Sequence, residues 1–267
     1  MSEPLQSGAL RSGALARSPI APAPPVIVLD GWEVSGRRAS QDPAGAGLTL
    51  TDCTPLAKLQ LRAPAGGQVA GALGVPFGRA ARDSAGTLVV GSGPGEWLLL
   101  APPGHAPALA SRVAAIAAQA RGEPATWVDL THGRALIRLN GSSAASVLAK
   151  LCGIDLSDDV IPDGAAFRTS VAALATDIIR DDLGGSADGA AGTRSYLLHC
   201  ERSSGQYLFD AVLRAGGEFG IETDGLRLPP ARPGPALPGL PPDSPGPALP
   251  GLPPTPPGPA QPAPSGI

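Results

Sequence analysis

The sequence predicts an α+β fold in which largely antiparallel sheets carry helices packed on one face. Two observations lead to this prediction. Apolar stretches of strand length come in pairs around short turns, as at 88–102 and 126–141. Single stretches with helical spacing of apolar residues separate these pairs, as at 105–121. The region from about 48 to 228 follows this pattern and is long enough to bury a core.

Three stretches predict strands. LVVGSGPGEWLLLAP, 88–102, predicts two apolar strands joined by a Gly/Pro turn. TWVDLTHGRALIRLNG, 126–141, predicts a second hairpin, with alternation in ALIRL and a Thr-His-Gly turn. SVAALATDIIRDD, 170–182, predicts a strand or a strand pair, and a Gly-rich loop at 184–192 links it to a further strand at 195–201.

Three stretches predict amphipathic helices. In 105–121, one helical face carries Leu109, Val113, Ile116 and Ala120. The stretch 142–153 predicts a short helix with a Ser cap before it and Gly153 at its end; its apolar side carries Ala144, Val147, Leu148 and Leu151. A third helix begins near Ser203 or Ser204, either of which could serve as its N-cap; its apolar side carries Leu208, Ala211, Val212 and Ala215.

Composition divides the chain into three parts. Residues 1–47 are predicted to be a flexible N-terminal extension, 48–228 the folded domain, and 229–267 a disordered, polyproline-biased tail. The tail holds 17 of the 32 prolines, and its segment 234–245 is followed by a near copy at 246–257. Its P-x-x-P spacing is compatible with docking into an aromatic groove, although a dispensable extension is the simpler interpretation.

Charge and cysteine usage exclude several classes of protein. The net charge is −3 without a block of like charges, so the sequence indicates neither a nucleic-acid nor an anionic-membrane partner. It contains neither a secretion signal nor an apolar run of bilayer-spanning length. Cys53, Cys152 and Cys200 have no short spacing, which favours a reducing, cytoplasmic location.

The stretch SYLLHCERSSGQYLFD, 195–210, gathers several residues typical of nucleophilic sites. In a strand, however, Cys200 points to one face together with Tyr196 and Leu198, whereas His199 points to the other. A Cys–His dyad within the strand is therefore excluded, because its members need hydrogen-bond reach. A dyad with a partner elsewhere remains open, and a buried structural cysteine is the simpler interpretation.

The remaining candidates favour structural roles. GSGPGEW, 91–97, has Glu96 where a dinucleotide loop needs its third glycine, and Pro94 removes a donor, so we predict a turn. His132 is predicted to be a surface turn residue and His105 the start of a helix. No two of the three histidines are close in sequence, so no metal site is predicted, although tertiary clustering remains open.

Two further features argue against a catalytic site. The Asp-Asp pairs at 158–159 and 181–182 are predicted to be solvated rather than an acid/base pair. The nine aromatic residues are few for a site that stacks a flavin or pterin ring.

Five segments follow one another in an order that is typical of one family: CTPLAKLQLR at 53–62, SGPGEWLLLAP at 92–102, VDLTHGRALIRLNGSSAASVLAKLCGIDL at 128–156, FRTSVAALATDIIRD at 167–181 and SYLLHCERSSGQYLFDAVL at 195–213. The most specific parts are the D-L-T-H-G-R segment with the Ala-rich helix after it, and the Y-L-L-H-C-E-R-S-S-G-Q-Y-L-F-D block. In these segments, most of 48–222 resembles the gamma subunit of heterotetrameric sarcosine oxidase.

That subunit is similar in turn to the folate-binding aminomethyltransferases of the glycine cleavage system. Their D-x-S-H pattern and the glycine and alanine after it match Asp129, Thr131, His132, Gly141 and Ala144. Ser142 or Ser143 replaces their acidic residue, no counterpart of their G-G-x-x-D-D motif is found, and the chain is about half their length. The resemblance implies their fold without their tetrahydrofolate chemistry.

The resemblance implies a non-catalytic subunit of a complex that oxidises sarcosine to glycine, producing hydrogen peroxide and formaldehyde or 5,10-methylenetetrahydrofolate. It implies alpha, beta and delta subunits as partners, with FAD, FMN, NAD and zinc in those partners. No catalytic, cofactor-binding or metal-binding residue is then expected in this chain. The alternatives are a free-standing folate-binding enzyme or iron–sulfur assembly factor that uses Cys200 or His132, and an interaction protein that docks through its Pro-rich tail.

Overall fold

The computed structural model describes residues 15–36, 47–184 and 192–226. The strands in these ranges are, in chain order, β1 (Ala16–Arg17), β2 (Val26–Leu29), β3 (Trp32–Ser35), β4 (Leu48–Asp52), β5 (Ala57–Arg62), β6 (Ala80–Arg82), β7 (Leu88–Gly93), β8 (Glu96–Ala101), β9 (Thr126–Asp129), β10 (Arg134–Gly141), β11 (Ala166–Val171), β12 (Leu174–Arg180), β13 (Ser195–Glu201) and β14 (Glu222–Asp224). The α-helices are α1 (Gln68–Leu73), α2 (Ala106–Gln119), α3 (Ala144–Ala149) and α4 (Gly205–Gly216).

The strands form three sheets. A three-stranded sheet has the order β1-β3-β2, a six-stranded sheet the order β11-β12-β13-β10-β4-β14, and a five-stranded sheet the order β6-β7-β8-β5-β9. Neighbouring strands are antiparallel, except that β1 pairs with β3 and β14 with β4 in parallel. Within the described ranges, no helix combines the length and apolar character needed to cross a bilayer.

The two large sheets face each other, and each is covered by helices on its outer face. Side chains from both sheets form the layer between them, among them Leu98 and Leu100 from one sheet and Leu136 and Leu197 from the other. Helices α3 and α4 pack on the six-stranded sheet, and α1 and α2 pack on the five-stranded sheet. The predicted α+β fold, with helices on one face of each sheet, is confirmed.

The chain passes from one sheet to the other at two adjacent corners, residues 53–56 between β4 and β5 and residues 130–133 between β9 and β10. Strands β4 and β10 are neighbours in the six-stranded sheet, and β5 and β9 are neighbours in the five-stranded sheet. The prediction of a hairpin over 126–141 is therefore wrong. Strand β10 has both faces buried and pairs with β4 and β13, so it lies inside a sheet rather than against β9.

Several other predicted elements match the structure. The 88–102 hairpin is the β7–β8 pair, and the helix over 105–121 is α2, whose Leu109, Val113 and Ile116 are buried. The stretch 170–182 belongs to a strand pair, which begins earlier, at Ala166. The predicted loop at 184–192 lies largely outside the described residues.

The predicted serine caps make no capping hydrogen bond with their side chains. Ser143 and Ser204 stand at the N-cap positions of α3 and α4, but neither side chain bonds to the first helical turn. Residues Arg202–Ser204 form a short 3₁₀ turn that leads into α4. Helix α3 ends at Ala149, before Gly153, where the backbone bonds change to i→i−3 spacing: Lys150 N–H donates to Val147 O and Leu151 N–H to Leu148 O.

Residues 15–36, which the sequence assigns to a flexible extension, carry the three-stranded sheet and contact the rest of the fold. Ile20 is buried in the core beneath α4. Ala21 N–H donates to the side chain of Gln206 at 2.7 Å. The predicted disordered tail, 229–267, lies outside the described residues.

The two-residue turn between β11 and β12 yields a stability prediction. Ala172 and Ala173 have φ values of 49° and 66°, a left-handed conformation that costs an L-residue with a Cβ roughly 1–2 kcal/mol. We expect Ala173→Gly to raise the melting temperature by about 2–4 °C, measured by thermal unfolding. The control Ala175→Gly, in an exposed position of β12 without positive φ, should lower it instead. Destabilisation by both substitutions would contradict this explanation.

Candidate functional site

Asp129, Thr131 and His132, which resemble part of the aminomethyltransferase motif, lie at the corner between β9 and β10, whereas Gly141 ends β10 and Ala144 begins α3. The Asp129 carboxylate accepts a hydrogen bond from Thr131 N–H at 2.8 Å. The Thr131 hydroxyl oxygen in turn accepts one from Lys58 N–H at 3.0 Å. These two bonds fasten the second corner to β5, the strand that follows the first corner. The motif residues therefore hold the connection between the two sheets.

Lys58 is the buried cation of this corner, with no exposed surface. Its ammonium group donates to the carbonyl oxygens of Thr54 at 2.5 Å and Leu56 at 2.8 Å, both in the first corner. Burial lowers the pKa of Lys58 to about 7, although Asp52 and other nearby charges partly oppose the shift. Sequence reasoning missed this residue.

His132 lies in an exposed turn, as predicted, and its ring stacks on Trp32 of β3. The ring centroids are 4.7 Å apart and the planes differ by 7°. This contact joins the three-stranded sheet to the second corner. The imidazole therefore has a packing role that the sequence did not reveal, because Trp32 is a hundred residues away in the chain.

His199 faces the layer between the sheets and bonds to Asp177 on the neighbouring strand. Its Nδ1 lies 3.1 Å from Asp177 Oδ2, and Arg168 on β11 donates to the same carboxylate at 2.6 Å. Burial alone would raise the pKa of Asp177, but the bonds from His199 and Arg168 lower it to about 2. Burial lowers the pKa of His199. The imidazole is thus held by an ionised carboxylate, with Nδ1 as the donor.

Cys200 lies on the opposite face of β13, among the apolar residues under α4. Its Sγ contacts the backbone carbonyl of Glu201 at 3.4 Å. Burial raises the pKa of this thiol to about 11, so the thiolate that nucleophilic chemistry needs is disfavoured. The structure places Cys200 and His199 on opposite faces, as the alternation in the sequence predicts.

The GSGPGEW segment is the turn of the β7–β8 hairpin, as predicted. A side chain at Gly91 would approach the Pro76 carbonyl oxygen to 2.2 Å, and Gly95 has a φ of 71°. Both glycines are thus required by backbone geometry. His105 likewise stands where predicted, at the N-cap of α2.

The prediction that the Asp-Asp pairs are merely solvated is wrong for 181–182. Asp181 accepts from Arg82 at 2.7 Å and from Arg138 at 2.6 Å, and its side chain is 11 % exposed. Burial opposes ionisation, but the two guanidinium groups lower the pKa of Asp181. Asp182 accepts from the buried Arg180 at 2.8 Å. Arg82 and Arg138, which come from different sheets, enclose Asp181, and sequence adjacency of the two aspartates does not indicate this.

Two hollows among the described residues differ in position and size. A cavity of about 100 Å³ lies between the sheets; its lining includes Leu88, Leu197, Arg82 and Arg138. An open groove of about 320 Å³ runs between residues 17–22 and α4. Neither is lined by an aromatic side chain, and the cavity between the sheets is smaller than the roughly 300 Å³ at which cofactor pockets begin. In the same ranges, no three His, Cys, Asp or Glu side chains are placed to hold a metal ion.

Comparisons with known sequences identify relatives of one kind. No family model matches the chain. The gamma subunit of sarcosine oxidase from Corynebacterium sp. (strain U-96) is 34% identical over 169 residues, which cover 60% of this chain and 75% of the relative. The gamma subunit from Arthrobacter sp. is 36% identical over 95 residues, or 36% of this chain and 44% of the relative.

Solved structures agree with the sequence relatives. A chain of heterotetrameric sarcosine oxidase from Corynebacterium sp. U-96, in complex with pyrrole 2-carboxylate, matches with a TM-score of 0.53 and 28% identity, covering 66% of this chain and 86% of that chain. The aminomethyltransferase T of the glycine cleavage system from Bartonella henselae matches with a TM-score of 0.55 and 18% identity, covering 79% and 60%, and shares the fold. The chain belongs to the family of sarcosine oxidase gamma subunits.

Proposed function

We propose that this chain is the non-catalytic gamma subunit of a heterotetrameric sarcosine oxidase. In this role it packs against alpha, beta and delta subunits and helps to hold the catalytic chains in a competent geometry. The complex would oxidise sarcosine to glycine, with hydrogen peroxide and formaldehyde or 5,10-methylenetetrahydrofolate as products. The burial of surface at the subunit interfaces supplies the free energy of binding.

The observation that supports a non-catalytic role is the internal use of the motif residues. Asp129 and Thr131 bond within the corner, and His132 stacks on Trp32. A catalytic group must instead reach a substrate with a hydrogen-bonding atom. Family membership supports the complex, and this geometry supports a structural part in it.

The cofactors of the reaction are proposed to lie in the partner subunits. FAD, FMN, NAD and zinc are the groups that the resemblance implies for them. The small cavity between the sheets and the lack of aromatic lining support the assignment of the flavins elsewhere. The three cysteines are free and buried, which supports a reducing, cytoplasmic location.

The alternative of a free-standing folate enzyme or iron–sulfur assembly factor is less favoured. It requires Cys200 or His132 to act on a ligand. The thiol of Cys200 is buried under α4 with a raised pKa, and the ring of His132 is covered on one face by Trp32. Both side chains therefore already make packing contacts within the fold.

A substitution at Cys200 separates the structural role from a catalytic one. In the assembled complex, Cys200→Ala is expected to leave sarcosine turnover within a few-fold of the parent, because the thiol only fills core volume. Steady-state oxidation of sarcosine by the purified complex measures this. A loss of about a thousandfold, the scale for removing a nucleophile or its base, would contradict the structural role.

The isolated chain tests the proposed function against the folate alternative. We expect it to be colourless, to show no turnover of sarcosine, and to give no saturable heat with tetrahydrofolate in calorimetric titration up to about 1 mM, the upper end of typical KM values. Micromolar binding of tetrahydrofolate by the chain alone would favour the alternative.

A further inference from the structure

The exposed apolar residues of the described chain concentrate on two edge strands. Of nine large apolar residues that are exposed, Val26, Ile27 and Val28 lie on β2, and Trp127 and Val128 lie on β9. Each strand ends its sheet, β2 the three-stranded and β9 the five-stranded. Such edges offer a template for pairing with another chain, and natural proteins usually protect them with charges.

Strand β2 is the less protected of the two. Its sequence, VIVL, contains no charged or polar side chain, and Val26, Ile27 and Val28 are 49%, 46% and 50% exposed. Because successive side chains alternate between faces, apolar surface is exposed on both faces of the strand. Isolated exposed residues need no explanation, but a whole apolar edge strand does.

The hairpin register shows which backbone groups are free to pair. Asp30 and Gly31 form a two-residue turn with φ values of 47° and 80°, so the flanking pair, Leu29 and Trp32, is hydrogen-bonded. Gly36 N–H donates to Pro25 O at 2.5 Å. This pair is four residue pairs beyond Leu29 and Trp32, so it too is one of the hydrogen-bonded pairs, which alternate with pairs that are not hydrogen-bonded. Val26 and Val28 fall in the intervening pairs and therefore direct their N–H and C=O groups to the free edge.

The strand is also held in place before any partner arrives. Its neighbour β3 carries Trp32, which stacks on His132, only three residues after β9 ends. This stack joins the sheets that carry the two apolar edges. A pre-ordered edge loses little conformational entropy when it binds.

Charge and area indicate the kind of partner. On the face beside Val28, Arg17 and Glu33 pair with each other at 2.8 Å, so the strip has no net charge to attract a charged segment. A four-residue edge is far smaller than the roughly 1,200–2,000 Å² of a stable interface, so two β2 edges alone would not hold a second copy. A larger chain that places an uncharged segment on β2 and also covers β9 would match the lack of net charge and would bury more area.

We infer that β2 is a docking edge to which a partner subunit adds an extended, uncharged, apolar segment by backbone pairing at Val26 and Val28. The same partner covers Trp127 and Val128 on β9. This inference rests on the proposed function, because it requires that the chain is a subunit of a larger complex.

The test uses the full-length chain co-expressed with the other subunits of its complex, one of which carries the affinity tag. A lysine on an edge strand opposes pairing, so Val28→Lys should reduce the amount of this chain retained per complex at least tenfold. The matched control is Val160→Lys, since Val160 is 53% exposed and its loop bonds through Gly164 to β12 and to β6, the strand at the opposite end of the five-stranded sheet from β9. The control should stay within twofold of wild type, and both variants should keep the wild-type melting temperature within a few degrees.

A second measurement needs no variant. Hydrogen exchange of the wild-type chain should show fast amides at Val26 and Val28 when it is alone, and protection of both in the complex. Undiminished retention of Val28→Lys, or unchanged exchange at these amides in a complex that does form, would overturn the docking edge and leave the proposed function standing. A homodimer of the isolated chain that Val28→Lys dissociates would assign the edge to a second copy and also overturn it. Failure of the wild-type chain to co-purify would overturn both.

Discussion

Asp181→Asn is expected to lower the free energy of unfolding by about 3–5 kcal/mol, the scale for leaving a buried charge without its partner. Asp181 sits between two guanidinium groups that come from different sheets, Arg82 on β6 and Arg138 on β10. Their side chains are only 18% and 9% exposed, so water compensates little for the lost carboxylate. Denaturant unfolding of the isolated chain measures the change.

The other Asp-Asp pair supplies the control. Asp159 is exposed, and Asp159→Asn should change the free energy of unfolding by less than about 0.5 kcal/mol. Because Asp181 has a depressed pKa when folded, its contribution is complete above the unfolded value of about 4 and is lost as the pH falls below it. Equal small effects of both substitutions would show that Asp181 does not link the sheets.

Raising the pH from 7 to 8.5 is expected to stabilise the wild-type chain relative to Lys58→Met by about 2 kcal/mol. Burial lowers the pKa of folded Lys58 to about 7, whereas an unfolded lysine titrates near 10.4. Between these values the unfolded chain binds more protons, so stability rises with pH. Between pH 7 and pH 10, the free energy of unfolding of the wild-type chain relative to Lys58→Met should rise by a total on the order of 4 kcal/mol. Unfolding curves for both proteins at several pH values give the difference directly.

The only other lysine provides a matched control. Lys150 is partly exposed and pairs with Glu218 at 2.9 Å, so Lys150→Met at the same pH values shows the effect of removing a lysine that is not buried. A difference between wild type and Lys58→Met that does not change with pH would mean that Lys58 stays protonated inside the fold.

Periodicity in the sequence predicted those elements whose partners are close in the chain. The β7–β8 hairpin and α2 follow from apolar spacing over about 15 residues each. The supposed hairpin over 126–141 failed because alternation identifies a strand but not its partner. Strand β9 pairs with β5 and β10 with β4 and β13, all from distant parts of the chain.

The candidate site shows the same limit. Alternation separated His199 from Cys200 correctly, because it depends only on the strand itself. The carboxylate that holds His199 lies on β12, and its position depends on the register of two strands. Lys58 stands between the apolar residues Ala57 and Leu59. In a sheet with one exposed face, this alternation would place the Lys58 side chain in water. Both faces of β5 are covered here, so its polar face points into the protein.

Subunit stoichiometry in the purified complex tests the central claim most directly. When this chain is expressed with the proposed alpha, beta and delta subunits and the complex is isolated through a tag on another subunit, denaturing mass spectrometry should find this chain in a one-to-one ratio with the others. Leaving it out should reduce the yield of complex or its flavin content, because partner binding stabilises the assembled state. A three-subunit complex that forms with full flavin content and full sarcosine turnover in its absence would contradict the account.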